Sequence, residues 1–211
     1  MKVSVVDYDI GNLLSVTRAF ETSGAEVEVI RDPSLVANAD RLVVPGVGAF
    51  GDCAQALSQR GFRDAVLEYA RTERPFLGIC VGMQMLFDVS EEFGEHQGLG
   101  LVPGKIVEID KRTATDEVRK RPHIGWSPLS KPASADWNDT ILSDIAPETR
   151  VYFVHTFTAQ PANESDRLAD CDYVGFRISA AVRRGNIYGT QFHPEKSGLE
   201  GLKVIKSFLT L

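Results

Sequence analysis

Apolar and polar positions alternate in blocks along the first half of the chain. Short apolar runs at Val3 to Val6, Val27 to Ile30 and Leu42 to Val44 have the length of buried strands, and a helical pattern, Asn12 to Ser23, closed by Gly24, separates the first two. Helical periodicity returns within Cys53 to Leu57 and Phe62 to Arg71, and a fourth strand, Phe76 to Ile79, runs into another helical stretch, Met83 to Phe87. This βαβ rhythm predicts a doubly wound α/β fold with a mainly parallel sheet, helices on both faces, and ligands gathered at the carboxyl ends of the strands.

From about Lys105 the rhythm changes. Short strand patterns at Ile106 to Ile109, Val151 to His155, Ile178 to Val182 and Ile187 to Phe192 are separated by turn-rich connections, which predicts antiparallel additions in the C-terminal half. Arg183-Arg184-Gly185-Asn186 reads as a hairpin turn and Leu199 to Leu211 as a closing helix. Lys111 to Arg121 mixes basic residues with Asp116 and Glu117 and reads as a solvated loop. Without a repeat, a low-complexity tract or a linker, residues 1–211 read as a single domain.

Composition narrows the function classes. With 43% hydrophobic and 25% charged residues the chain is ordinary globular protein, and a net charge of −6 with a pI near 5.3 argues against nucleic acid or an anionic membrane as partner. The N-terminal apolar run is broken by Asp7, too early for a signal sequence or a membrane span, so a cytoplasmic location is expected. Three cysteines, Cys53, Cys80 and Cys171, do not form a disulfide framework. Neither Cys-x-x-Cys nor His-x-x-x-His occurs, so no metal site and no cofactor is expected.

One cysteine has a special setting. Phe76-Leu77-Gly78-Ile79-Cys80-Val81-Gly82-Met83-Gln84 places a Gly-x-Cys-x-Gly turn between a strand and a helix start, the cysteine analogue of a nucleophile elbow. Glycines on both sides remove side chains that would crowd the turn, and unpaired N–H groups at the helix start favour a thiolate at Cys80. Of the four histidines, only His193, in Gln191-Phe192-His193-Pro194-Glu195-Lys196-Ser197, carries a built-in carboxylate partner. A residue before proline is extended, and in an extended chain residues two apart share a side, so Glu195 is expected to meet and orient the imidazole. Both Cys80 and His193 end strands and therefore share one rim of the sheet. A third strand end, Pro45-Gly46-Val47-Gly48-Ala49-Phe50-Gly51, supplies a flexible loop. There an amide of Val47 or Gly48 complements the amide of Val81 as an oxyanion hole.

Together these motifs resemble the class I, triad-type glutamine amidotransferases over nearly the whole chain. More narrowly, Asp7-Tyr8-Asp9-Ile10-Gly11-Asn12, the Pro45 to Phe50 loop, the elbow, His123-Ile124-Gly125-Trp126 and the His193 segment resemble the glutaminase subunits of imidazole glycerol phosphate synthases, from histidine biosynthesis. The resemblance implies a flavodoxin-like fold, with Cys80 as nucleophile, His193 as general base and acid, and Glu195 as its orienter. It also implies glutamine contacts from Gln84, from Gly46 and from the backbone at Thr156 and Phe157. It further implies a heterodimer with a (β/α)8-barrel cyclase. Ammonia would cross that barrel to a ribulosyl-phosphate imidazole-carboxamide intermediate, yielding imidazole glycerol phosphate and AICAR, with Asn12, Trp126, Tyr152 and Lys196 near the interface.

Asp9, Ser127 and Phe157 stand where glycine, asparagine and tyrosine are common, which leaves open a paralogue feeding an amidino-sugar synthase of surface polysaccharide. Two further readings stay open on the residues alone: a binding module in which Cys80 senses redox state, and a γ-glutamyl peptidase. A glutaminase acting alone would waste ammonia, so the partner is expected to control activity by turning an amide of the Val47 to Gly48 loop.

Overall fold

The computed structural model describes residues 1–211. In chain order, β1 (Lys2–Val6), α1 (Leu13–Thr22), β2 (Glu26–Ile30), β3 (Leu42–Gly46), α2 (Phe50–Gln59), α3 (Phe62–Ala70) and β4 (Phe76–Cys80) make the alternating half. There follow α4 (Val81–Gln84), β5 (Phe87–Ser90), β6 (His96–Gln97), β7 (Val102–Glu108), β8 (His123–Pro128), β9 (Arg150–His155) and β10 (Phe157–Pro161). β11 (Arg167–Tyr173), β12 (Phe176–Arg184), β13 (Ile187–Thr190) and α5 (Gly198–Thr210) complete the chain.

The main sheet has seven strands in the order β11-β12-β13-β4-β3-β1-β2. Its five parallel strands, read from the edge as β2-β1-β3-β4-β13, follow the flavodoxin-like order. β12 pairs antiparallel with both β13 and β11, so the antiparallel additions lie on one side. The middle strands are continuous apolar runs because helices cover both faces: every residue of β3 and of β4 is buried. Burying Phe76, Leu77 and Ile79 stabilises the centre by about 1.5–3 kcal/mol each.

α1 begins at Asn12, whose side-chain oxygen accepts the Ser15 N–H at 3.4 Å, and it buries Val16, Ala19 and Phe20. Phe20 meets Phe208 of α5 edge to face, with centroids 6.1 Å apart. The β12–β13 turn closes through Gly185, whose φ of +60° suits glycine.

Three expectations change. The helix read over Met83 to Phe87 is instead the four-residue α4, and Phe87 already opens β5. Ile106 to Ile109 and Val151 to His155 lie outside the main sheet: β7 belongs to a four-stranded sheet, β10-β7-β5-β6, and β9 pairs with β8 alone. Within the solvated loop, Arg119 is buried, donating to the carbonyls of Tyr173 and Val174 at 3.1 and 2.9 Å. Its guanidinium also reaches the carbonyls of Asp110 and Arg112, so this one cation staples the loop to β11.

Candidate active site

The carboxyl ends of β3, β4 and β13 converge on one cavity of about 500 Å³, lined among others by Asn12, Val47, Cys80, Gln84, His193 and Lys196. Cys80 stands at the end of β4 with φ 56 and ψ −111, a backbone conformation that L residues avoid. Close packing makes both elbow glycines necessary. A Cβ on Gly78 would lie 2.6 Å from the Gly82 carbonyl oxygen, and one on Gly82 would lie 1.9 Å from the Val44 carbonyl oxygen. Because α4 is a single turn, its contribution at Cys80 is the local N–H groups and not an extended macrodipole.

His193 follows β13, and its N–H donates to the Tyr152 carbonyl at 2.9 Å. Its Nδ1 lies 2.7 Å from Oε1 of Glu195, and both side chains are 2% exposed. His193 is extended, as expected of a residue before proline, but the chain then turns: Pro194–Lys196 forms a 3-10 turn that brings Glu195 back to the Nδ1 edge of the ring. Ser197 secures this corner, donating to the His193 carbonyl at 2.7 Å and accepting the Tyr152 N–H at 2.9 Å. Since a carboxylate only accepts, Nδ1 carries the hydrogen and Nε2 is left for the cysteine side. Burial alone would lower the His193 pKa. The Cys80 sulfur and the Glu195 carboxylate outweigh it and hold the imidazolium up to about 9.

Val47 and Gly48 line the same cavity, and neither N–H donates to a protein acceptor. Gly48 has φ +91, with nothing within 4 Å of the place its Cβ would occupy. Thr156, Phe157 and Val81 are also on the wall. Gln84 is there too, but its amide hydrogens are engaged by the Phe157 carbonyl and Gln191 Oε1, each at 3.0 Å. That leaves its carbonyl oxygen as the group it presents. Gly46 does not line the cavity. It pairs with Cys80 across the sheet, and a Cβ there would lie 2.7 Å from the Gly82 nitrogen, so packing under the elbow by itself requires a glycine. Trp126 and Tyr152 stand outside the cavity as an edge-to-face pair at 6.1 Å, with Trp126 49% exposed.

Two features escaped sequence reasoning. Glu92, at the mouth of the cavity, is buried, accepts the Phe50 N–H at 2.6 Å, and has its pKa raised by that burial. In sequence it reads as a surface charge beside Glu91. The second is a buried relay. His155 Nδ1 lies 2.8 Å from the Phe157 carbonyl, which can only accept, so that nitrogen is protonated. His155 Nε2 then accepts from His123 Nδ1 at 3.0 Å, and His123 Nε2 accepts the Ser127 hydroxyl at 2.9 Å. Burial lowers both rings, His123 to about 4 and His155 to about 3. Ser127 thus has a role, and Asp9 has φ 70, the region glycine occupies without strain. No group of three or more His, Cys, Asp or Glu is disposed to hold a metal ion.

A buried cysteine on a strained strand-to-helix turn, facing a carboxylate-oriented histidine on this sheet order, defines the triad-type amidotransferase class. The chain belongs to the class-I glutamine amidotransferase family, whose family model matches residues 4–210. The imidazole glycerol phosphate synthase subunit HisH 1 of Legionella pneumophila (strain Lens) is 48% identical over 210 residues, covering 99% of each chain. The corresponding subunit HisH of Syntrophotalea carbinolica is 44% identical over 207 residues, covering 98% of each. A solved structure of PurLQS from Thermotoga maritima shares the fold, with a TM-score of 0.73 at 22% identity over 99% of this chain and 97% of that one. No helix is long and apolar enough to cross a membrane.

Proposed function

We propose that this chain hydrolyses glutamine to glutamate and ammonia through a thioester on Cys80, and supplies the ammonia to a partner cyclase subunit of an imidazole glycerol phosphate synthase. One observation carries the catalytic reading: Cys80, at positive φ, shares a cavity with an imidazole whose Nδ1 is 2.7 Å from the buried Glu195 carboxylate. The relatives, HisH subunits of that synthase at 44–48% identity over essentially their full length, support the pathway and the partner. By the same resemblance the partner is a (β/α)8 barrel.

The thiolate of Cys80 attacks the glutamine carboxamide carbon, and the electron pair moves onto oxygen. Amides of Val81 and of the Val47 to Gly48 loop meet that oxyanion. His193, protonated and steadied by Glu195, gives its Nε2 proton to the departing nitrogen, so ammonia leaves and the thioester remains. Water then loses a proton to His193 and attacks the thioester, and glutamate departs as the sulfur recovers its electrons. Glu92 is the carboxylate placed to receive the α-ammonium of the substrate, and the Gln84 oxygen accepts a hydrogen bond from it or from the carboxamide. Asn12 and Lys196, on the cavity rim, together with Trp126 and Tyr152, form the docking edge for the cyclase, which governs the oxyanion loop.

A glutamine-analogue diazo-ketone tests the reading. It is expected to alkylate Cys80, at a rate reduced in His193→Ala, and glutamine turnover is expected to rise when the cyclase subunit carrying its ligand is added. Labelling at other cysteines, or turnover indifferent to Cys80→Ala, overturns it.

A further inference from the structure

Cys53 lies in the first turns of α2, fully buried, and no step of the proposed chemistry uses it. Its sulfur donates to the Val47 carbonyl at 3.3 Å. The neighbouring carbonyl on the other side of Gly46, that of Pro45, is held by the Tyr8 hydroxyl at 2.6 Å, and the same hydroxyl touches the Cys53 thiol. Burial pushes the thiol up to about 11, so it keeps its hydrogen and acts as a donor at every pH at which the enzyme works.

The held carbonyl belongs to the Val47–Gly48 peptide, and a peptide is planar and trans, so fixing its oxygen fixes its N–H on the opposite side. The oxygen is turned toward the Cys53 thiol, and Val47 and Gly48 share a cavity wall with Cys80. An oxyanion formed on the Cys80 side needs a donor there, not an acceptor. Gly48, at φ +91 and with no neighbour within 4 Å of a Cβ, lets the peptide turn, and its N–H breaks no protein hydrogen bond on turning.

We propose that Cys53 is a clasp on the oxyanion loop: its thiol holds the Val47–Gly48 peptide in the resting orientation of the lone chain, and glutamine hydrolysis requires that hydrogen bond to open. When it opens, the Tyr8 hydroxyl oxygen is at hand to accept the released S–H, so the thiol is not left without a partner. Cys53 is a positioning residue, and the proposal rests on the glutaminase reading above. It goes beyond that reading in naming the group that holds the loop.

The test compares wild type, Cys53→Ala, Cys53→Val and Cys53→Ser, with and without the cyclase subunit. Alanine and valine remove the donor, one smaller and one larger than cysteine, whereas serine keeps a donor at the same place. The partner-free glutaminase kcat is expected to rise threefold or more in the alanine and valine variants, the stimulation by cyclase to fall by the same factor, and the serine variant to stay within twofold of wild type. A merely structural role gives a different outcome, since the void left by alanine and the excess bulk of valine loosen or strain the loop and lower the partner-free rate instead of raising it. Rates that are unchanged or lowered in both donor-less variants overturn the clasp.

A readout independent of turnover separates the two ideas. The infrared S–H stretch of Cys53, assigned by its loss in Cys53→Ser, is expected at the frequency of a hydrogen-bonded thiol. A band at the free-thiol position overturns the clasp whatever the enzyme does. Wild type inert toward glutamine with cyclase present, but with a bonded thiol, overturns the glutaminase reading and leaves the clasp's geometry standing.

Discussion

The paired histidines behind the cavity make the stability of this protein fall in mild acid. His123 and His155 are held neutral by burial in a chain of hydrogen bonds from the Ser127 hydroxyl to the Phe157 carbonyl, in which His155 Nε2 already accepts from His123 and has no room for a second proton. Their folded pKa values, about 4 and about 3, lie below the value near 6.5 of a free histidine. The unfolded chain therefore binds more protons below that value, and stability falls as pH drops from about 6.5 toward the folded values. At pH 5 the penalty is about 2 kcal/mol for each ring, or about 4 kcal/mol for the pair if they act independently, a large fraction of a typical domain's stability. His193 has the opposite sign. Its folded pKa is raised to about 9, so its contribution is fully present below about 6.5 and is lost as pH rises through about 9, and it does not share in the acid loss. Urea unfolding between pH 7.5 and 5 measures the total, and His123→Asn, which relieves part of the burden, is expected to show a shallower acid slope. Nitrogen-15 spectra of the rings give the direct check: both should carry hydrogen on Nδ1 and stay neutral to pH 5. A ring that titrates near 6.5, or an acid slope unchanged in the variant, refutes the reasoning.

Three other outcomes follow from particular contacts. Gly82→Ala drives a Cβ into the Val44 carbonyl of β3, where backbone and not a flexible side chain must yield, and is expected to cost ~3 kcal/mol or more in urea unfolding; wild-type stability would contradict it. Glu195→Gln keeps the shape and removes the charge. It should lower kcat ~10²-fold to 10⁴-fold with little change in KM, and move the basic limb of the pH profile down, because the carboxylate is one of the groups holding His193 up to about 9. Glu92→Gln retains an acceptor for the Phe50 N–H but not the negative charge, and is expected to raise the KM for glutamine about tenfold, as loss of a charge-assisted hydrogen bond requires; an unchanged KM removes Glu92 from the binding site.

The parallel half of the fold was legible because local patterns carried it. β1, β3 and β4 are apolar runs bounded by glycine, proline or charge, and Asn12 and Gly24 bracket α1. The second sheet was not, since β5, β6 and β10 are short and acquire their identity from partners far along the chain, such as β10 from β7. The same limit applies to α4. Met83 to Phe87 has helical spacing, but Leu86 and Phe87 are claimed by the core, and the chain turns into β5 after a single turn. The packing that requires Gly46 was not legible, because a glycine needed for ligand approach and a glycine needed for backbone approach look alike in sequence.

The sequence by itself determined the chemical parts and their strand-end positions: a cysteine between two glycines, a histidine two residues before a glutamate, and a loop too rich in glycine to be rigid. Those features are local, and short-range sterics read them directly. Only the tertiary structure decided which further groups share the cavity and in what state. Glu92 is buried because the start of α2 covers it, His155 is neutral because His123 and the Phe157 carbonyl enclose it, and Cys53 meets Val47 because α2 folds back under the loop. Burial, and the protonation it dictates, is a property of neighbours brought from elsewhere in the chain.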